Sequence, residues 1–271
     1  MLITSTQSGF GAQVEDVSVN ALCAPQGRRA LRRALVHHRV LVLPQLTIDA
    51  AAFGRLARAL GSLQHHDFLR GLDQDADVHE IRKEPSHEHN FGGTWHADGS
   101  YLRQPPRTVM LQAVRTPPAG GDTVWRCQYD ALASLPATLR GIVSQARLRH
   151  AAAVVYAEMP AAAPTAVAQE AEHSLVRWVR DAGRAALFHS GPCVQGVVGM
   201  GDDEGRTFLD EVFSFSSGAL AFRHSWSPGD VVLWDNRATL HMALNDYPGH
   251  LRLMRRALVG RETPQAPAVP A

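Results

Sequence analysis

The 271-residue chain reads as mainly β with helical cladding, arranged as one β-sandwich or jelly roll. Three features predict that class. Short β-prone segments crowd the later chain, separated by Pro- and Gly-rich turns such as Thr116-Pro117-Pro118-Ala119-Gly120-Gly121. Helical periodicity is confined to the opening and to one later excursion. No internal repeat or second boundary stands out, and 45% hydrophobic residues suffice for one large core. The expected organisation is a single domain over 1–262 and a loose tail over 263–271.

Gln26 to His38 repeats Leu and Ala at helical spacing, with Arg28, Arg29, Arg32 and Arg33 on other faces. Val40-Leu41-Val42-Leu43 reads as a buried strand cut by Pro44. Thr47 is placed to cap a helix from about Ile48 to Leu60, closed by Gly61. Strands are expected over Val78 to Arg82, Thr94 to Tyr101, Thr108 to Val114 and Thr123 to Trp125. Gln128 to about Leu148 reads as helical. Tyr156 to Glu170, rich in Ala with Pro160 and Pro164, reads as a mobile surface loop, either a lid or an ordinary linker. Strands resume at Leu175 to Val179 and Ala186 to His189. A helix over Glu204 to Phe215 would take Asp202 or Asp203 as its cap. Ala219 to Trp226 and Val231 to Trp234 read as a hairpin about Ser227-Pro228-Gly229-Asp230, and Leu251 to Val259 as the last strand.

With 27 basic and 26 acidic residues the formal charge is +1. That balance gives no global pull toward nucleic acid or an anionic membrane, so attraction for anions must be local. Cys23, Cys127 and Cys193 are odd in number and far apart, which favours reduced thiols in a cytoplasmic protein. The opening Met1-Leu2-Ile3-Thr4-Ser5 lacks the marks of a signal peptide, and no apolar run reaches membrane-spanning length. A homo-oligomer is compatible with all of this, and oligomeric state is left open.

Trp95-His96-Ala97-Asp98 sets an imidazole and a carboxylate two residues apart. In an extended strand alternate side chains share a face. One neutral nitrogen and one anionic oxygen make two-thirds of the 2-His-1-carboxylate set that holds non-haem Fe(II). Alone the pair is a weak signal, because a buried His beside an Asp is common. Leu233-Trp234-Asp235-Asn236-Arg237-Ala238-Thr239-Leu240-His241 offers the third ligand: a strand and a short turn would set His241 at a strand mouth. Farther on, Arg252, Met254 and Arg256 share a strand face and Arg255 points away. Two inward guanidiniums beside a metal need anions to meet them. His37-His38 and His87-Glu88-His89 could suggest a second metal site, but neither has a further ligand at a convincing spacing.

As a set, these segments resemble the taurine dioxygenase family of Fe(II)- and 2-oxoglutarate-dependent oxygenases, which includes the phenoxyalkanoate-herbicide dioxygenases. Trp95-His96-Ala97-Asp98, Gly120-Gly121-Asp122-Thr123-Val124-Trp125, Trp234-Asp235-Asn236-Arg237 and His241 through Arg256 carry the likeness. Gly11-Ala12-Gln13-Val14 and Arg39-Val40-Leu41-Val42-Leu43 support it, and it covers about residues 3 to 261. The resemblance implies a double-stranded β-helix, the cupin-like jelly roll. It implies iron held by His96, Asp98 and His241, and 2-oxoglutarate held by Arg252 and Thr123. O₂-dependent hydroxylation would then release succinate and CO₂. The carboxylate at Asp98 favours hydroxylation over halogenation, which needs a small residue there. Arg256 would bind an anionic group of the substrate. His66 falls where the taurine enzyme has a substrate-contacting His, with His65 close enough to confuse the alignment.

Asp67-Phe68-Leu69 and Gly92-Gly93 depart from the taurine pattern. They point to a larger or less polar anion: a sulfonate, sulfate ester, aryloxyalkanoate or carboxylated metabolite. Two other readings stand beside this one. A tailoring oxygenase on the same scaffold would desaturate or cyclise its substrate. A non-oxidative metal-binding β-barrel, either a hydrolase or a ligand-binding relic, would consume no O₂.

Overall fold

The computed structural model describes residues 1–66, 68–156, 164–219 and 221–267. Two sheets face each other. The larger runs Leu2–Ser5, Ala12–Glu15, Val40–Leu43, Val231–Asp235, Thr108–Arg115, Arg252–Val259, Asp75–Lys83, Gly71–Leu72, with Leu63–Gln64 paired to the Arg252–Val259 strand. The smaller sets Thr123–Cys127 between Ala221–His224 and Thr239–Ala243. This is the mainly β jelly roll with helical cladding that the sequence predicts.

Period-two alternation divides the core. Leu41, Leu43, Val231 and Leu233 meet Leu31, Leu35, Phe53 and Leu56 of two covering helices, Pro25–His38 and Ala50–Leu60. Val40, Val42, Val232 and Trp234 point the other way, toward Trp125 of the smaller sheet. The two indoles meet edge to face with centroids 5.6 Å apart. Burial on both faces explains why these strands read as unbroken apolar runs.

Several boundaries differ from the sequence reading. Asp49, not Thr47, caps Ala50–Leu60, accepting from the Ala52 N–H at 2.7 Å. Gly61 ends that helix in extended backbone, without a left-handed cap. The stretch from Gln128 breaks into two helices, Gln128–Ser134 and Ala137–Gln145, because Pro136 has no N–H to donate and restricts Leu135 before it. Arg147–Ala151 is then a strand between Glu170–Ser174 and Val194–Val197. Helix Asp202–Ser217 starts from Gly201, so Asp202 and Asp203 lie in its first turn, where they meet the positive end of the helix dipole.

The expected hairpin is a crossover. Ala221–His224 pairs with Thr123–Cys127, whereas Val231–Asp235 pairs with Val40–Leu43 and Thr108–Arg115 in the other sheet. Asp230 fixes the corner, accepting from the N–H groups of Ser227 at 2.8 Å and Gln45 at 2.9 Å. Of the expected lid, residues 157–163 lie outside the described residues. Its two ends are short helices, Ala153–Tyr156 and Pro164–Val167. Residues 268–271 of the expected loose tail also lie outside the described residues, while the Trp178 N–H donates to the Gln265 carbonyl at 2.7 Å. Cys23, Cys127 and Cys193 are free thiols, and no described helix is long and apolar enough to cross a membrane.

Candidate active site

The stretch Thr94 to Tyr101 is a turn, contrary to the expected strand. His96 alone forms a bridge, exchanging backbone hydrogen bonds of 3.0 and 2.9 Å with His241. That exchange fixes the two imidazoles side by side, with ring centroids 4.1 Å apart. Side chains replace the ladder for the residues that follow. Ala97 N–H donates to Ser190 Oγ at 3.2 Å, and Asp98 N–H to Asn236 Oδ1 at 2.9 Å. Asn236 Nδ2 returns bonds to the Asp98 and Pro106 carbonyls at 2.9 and 3.0 Å. Gly99 then turns the chain at φ 62°. Gly92 serves closeness as well: its φ is 78°, and a Cβ there would approach His96 Cε1 to 3.1 Å.

His96, Asp98 and His241 each offer a donor atom, and the three atoms lie within 4.8 Å of one another. Donors about 2 Å from a common ion would lie within about 4 Å of each other, so small side-chain adjustments suffice. The Asp98 carboxylate is 6% exposed, and its Oδ2 has no hydrogen-bond partner; His241 Nε2 stands 3.5 Å away. The ring nitrogen Nδ1 of His96 meets the Thr94 carbonyl at 2.7 Å, which orients the ring and leaves Nε2 as its donor atom. Two imidazoles and an unsatisfied buried carboxylate oxygen fit a divalent iron. Among the described residues no other group of three or more His, Cys, Asp or Glu could share an ion, and His37-His38 and His87-Glu88-His89 form none.

Burial alone would push the Asp98 carboxyl up, but Arg256 and then the His241 and His96 imidazoles outweigh it and hold it below its ordinary value. Burial, then the neighbouring His96, lowers His241 to about 3, so it presents a neutral nitrogen.

The two arginines of the final strand reach different walls of one cavity, shared with His96, Asp98, Thr123 and His241. Arg252 is 5% exposed and its Nε donates to the Gly121 carbonyl at 3.2 Å. Gly121 needs its φ of 72°, and a Cβ there would press on Arg252 Cδ at 3.3 Å. Thr123 opens the strand beside it, with Oγ1 accepting from Trp226 Nε1 at 3.0 Å. Arg256 Nη1 donates to Asp98 Oδ1 at 2.9 Å, while its Nε and Nη2 are buried without a partner. Arg255 points away, toward Gln112 Oε1 at 3.2 Å.

His66, not His65, turns inward: it is 5% exposed, whereas the His65 side chain is 59% exposed beside Asp77. Its Nδ1 accepts from the Phe68 N–H at 3.2 Å, which puts the ring proton on Nε2. Burial, then Arg256, lowers His66 to about 2, so the ring stays neutral. Sequence reasoning missed the aromatic wall around it. Phe68 stacks on Tyr156 at 3.8 Å between centroids, Tyr101 meets both edge-on, and the Arg256 guanidinium lies 5.3 Å from the Phe91 ring centre. These rings come from scattered turns and a short helix with no shared spacing. Asn236 was visible only as part of Trp234-Asp235-Asn236-Arg237; its role as a brace appears only when the turn at Asp98 is seen.

The jelly roll and its His-Asp-His cluster define a non-haem metal enzyme, and residues 3–258 match the model of the taurine catabolism dioxygenase TauD, TfdA family. The chain belongs to that family. It is 33% identical to the alpha-ketoglutarate-dependent 2,4-dichlorophenoxyacetate dioxygenase of Cupriavidus pinatubonensis, over 92% of this chain and 93% of that protein. It is 27% identical to the alpha-ketoglutarate-dependent sulfate ester dioxygenase of Pseudomonas putida, over 94% and 88%. A crystal structure of a taurine dioxygenase from Burkholderia xenovorans superposes with a TM-score of 0.84 at 25% identity, over 98% of this chain and 93% of that one. The protein is a 2-oxoglutarate-dependent non-haem iron dioxygenase, requiring Fe(II), 2-oxoglutarate and O₂.

Proposed function

We propose that this enzyme hydroxylates a small organic anion whose body is apolar, at a metal held by His96, Asp98 and His241. One observation carries the substrate class: the buried Nε and Nη2 of Arg256 have no partner beside a wall of Phe68, Phe91, Tyr101 and Tyr156. A guanidinium edge of that kind suits the two oxygens of a carboxylate, sulfonate or sulfate head. The neutral His66 supplies an Nε2–H donor near Arg256, and the rings would enclose an alkyl or aryl body. Arg252 and Thr123 bind 2-oxoglutarate in this reading, Arg252 through its own buried guanidinium.

When bound, the iron couples O₂ and 2-oxoglutarate to oxidation of a C–H bond, with release of succinate and CO₂. The protein's side chains position both acids and shield the site from water. Relatives named for a sulfate ester and for 2,4-dichlorophenoxyacetate support such anions, and the aromatic wall favours them over taurine. The reading includes one domain over 1–262, acting in the cytoplasm, with substrate as its partner.

Succinate release, measured with Fe(II) and 2-oxoglutarate against alkyl sulfates, aryloxyalkanoates, sulfonates and amino acids, tests it. An apolar-bodied anion should raise succinate above the substrate-free background, and the product should gain one oxygen. Stimulation by taurine alone, or a product lighter by two hydrogens, would overturn the reading.

A further inference from the structure

A second basic site lies at the other end of the Thr123–Cys127 strand from Thr123. Just beyond that strand, Tyr129 lines a cavity of about 520 Å³ together with Arg32, Arg33, His37, Arg39 and Arg184. The only carboxylate in its lining, Asp181, is already engaged. Arg237 holds both Asp181 oxygens at 2.7 and 3.1 Å, and Arg107 adds a bond of 2.7 Å. Among the described residues the guanidiniums of Arg33 and Arg184 have no ion pair or hydrogen bond; that of Arg184 lies over the Tyr129 ring at 4.5 Å. Arg32 gives one Nη2 to the Leu60 carbonyl at 2.7 Å, and Arg39 gives its Nη2 to Gly9 at 2.8 Å. Arg39 Nε remains buried without a partner. Tyr129 is 2% exposed, and its hydroxyl is also buried without a partner.

Four guanidiniums around one concave space, three of them exposed, concentrate positive charge that an anion would neutralise. An unpartnered buried hydroxyl and Nε are donors that lack an acceptor. On a chain of formal charge +1 this concentration is local, and the reaction at the iron makes no use of it. We propose that this cavity binds a compact phosphoryl anion carrying several charges, a free polyphosphate or the polyphosphate group of a nucleotide. Guanidinium forks match phosphoryl oxygens in pairs, and Tyr129 completes the set with one hydroxyl donor. A cavity of this volume fits a small molecule better than a polymer backbone or a membrane surface, which spread their charge over an open face.

Pyrophosphate, titrated calorimetrically into the full metal-free chain at low ionic strength, tests the site without competition for iron. The expected result is one site per chain that weakens as salt rises. The double variant Arg33→Glu/Arg184→Glu should weaken binding at least about tenfold. Tyr129→Phe, which keeps the ring in the core, should weaken it about threefold. Arg252→Ala should leave it unchanged, while the double variant and Tyr129→Phe keep wild-type succinate production. Absence of a pyrophosphate site overturns the proposal, as does binding lost with Arg252→Ala and kept in the double variant. Retention on anionic vesicles or duplex DNA that depends on Arg33 and Arg184, without binding of free pyrophosphate, would replace it with a surface-docking role.

Discussion

Arg252 and Arg256 stand four residues apart on the same face of one strand, yet they meet walls of different construction. Around Arg252 the positions are set by sheet pairing: Thr123 opens a strand of the smaller sheet, and Gly121 presents its backbone carbonyl. Around Arg256 the wall is assembled from turns and short helices, with Asp98 held by Asn236 and the rings of Phe68, Phe91, Tyr101 and Tyr156 held by one another. Backbone ladders leave few places for a side chain to go. Ring-to-ring packing tolerates exchange of one apolar group for another. In the proposed reading the wall near Thr123 takes the co-substrate and the wall near His66 the substrate, the part for which relatives are named differently.

The largest effect should come from the carboxylate that touches both the metal cluster and Arg256. Asp98→Ala should abolish substrate-dependent succinate formation. In metal-free protein it should also cost about 3 kcal/mol of stability, because Arg256 is left buried and unpaired. Urea unfolding measures this, and replacing Arg256 by Met in the same protein should recover part of the loss. If the single variant unfolds at the wild-type midpoint, the Asp98–Arg256 pair is not a structural link between the walls.

The two arginines should separate in kinetics. Arg252→Ala is expected to raise the 2-oxoglutarate requirement about a hundredfold while leaving the substrate requirement near wild type. Arg256→Ala should do the reverse. Parallel changes in both requirements for either variant would dissolve the distinction between the walls. Asn236→Ala, which frees the Asp98 backbone, should weaken iron binding about tenfold. Tyr156→Leu should reorder a panel of anionic substrates by about tenfold or less and leave the 2-oxoglutarate requirement alone. Succinate assays at varied substrate distinguish these outcomes.

The remaining effect falls on stability and not on kinetics, at a histidine outside both walls. His150 is fully buried, stacks on Phe188 at 5.6 Å, and has no partner for either ring nitrogen. Burial, followed by His173, lowers it to about 3 from the ordinary 6.5. As pH falls below 6.5, the unfolded chain takes up a proton that the folded chain refuses, so stability falls. At pH 5 that amounts to about 2 kcal/mol. His150→Phe should remove this part of the acid sensitivity, read as a flatter slope of stability between pH 7 and pH 5. An unchanged slope would show that His150 is protonated in the folded protein or has gained a partner.

Much of the convergence of side chains was legible in advance. Period-two patterning set Arg252, Met254 and Arg256 on one strand face, and the short motifs around His96, Thr123 and His241 identified the residues that meet. The strand expected at Thr94 to Tyr101 was wrong in conformation although His96 and Asp98 do converge. A one-residue bridge and the Asn236 side chain bring about what an extended ladder was expected to do. The hairpin expected after Ala219 failed for a related reason: both strands exist, but long-range partners in different sheets claim them.

The sequence alone determined which residue types could hold iron and two acids, and that Arg252 and Arg256 share a strand face, because strand periodicity and ligand chemistry are local. Only the tertiary structure decided that His66 rather than His65 faces inward, that Asp98 pairs with Arg256, and that four scattered rings share a wall. Those outcomes depend on contacts between segments far apart in the chain. Periodicity says which face a side chain takes, and packing alone says what stands opposite it.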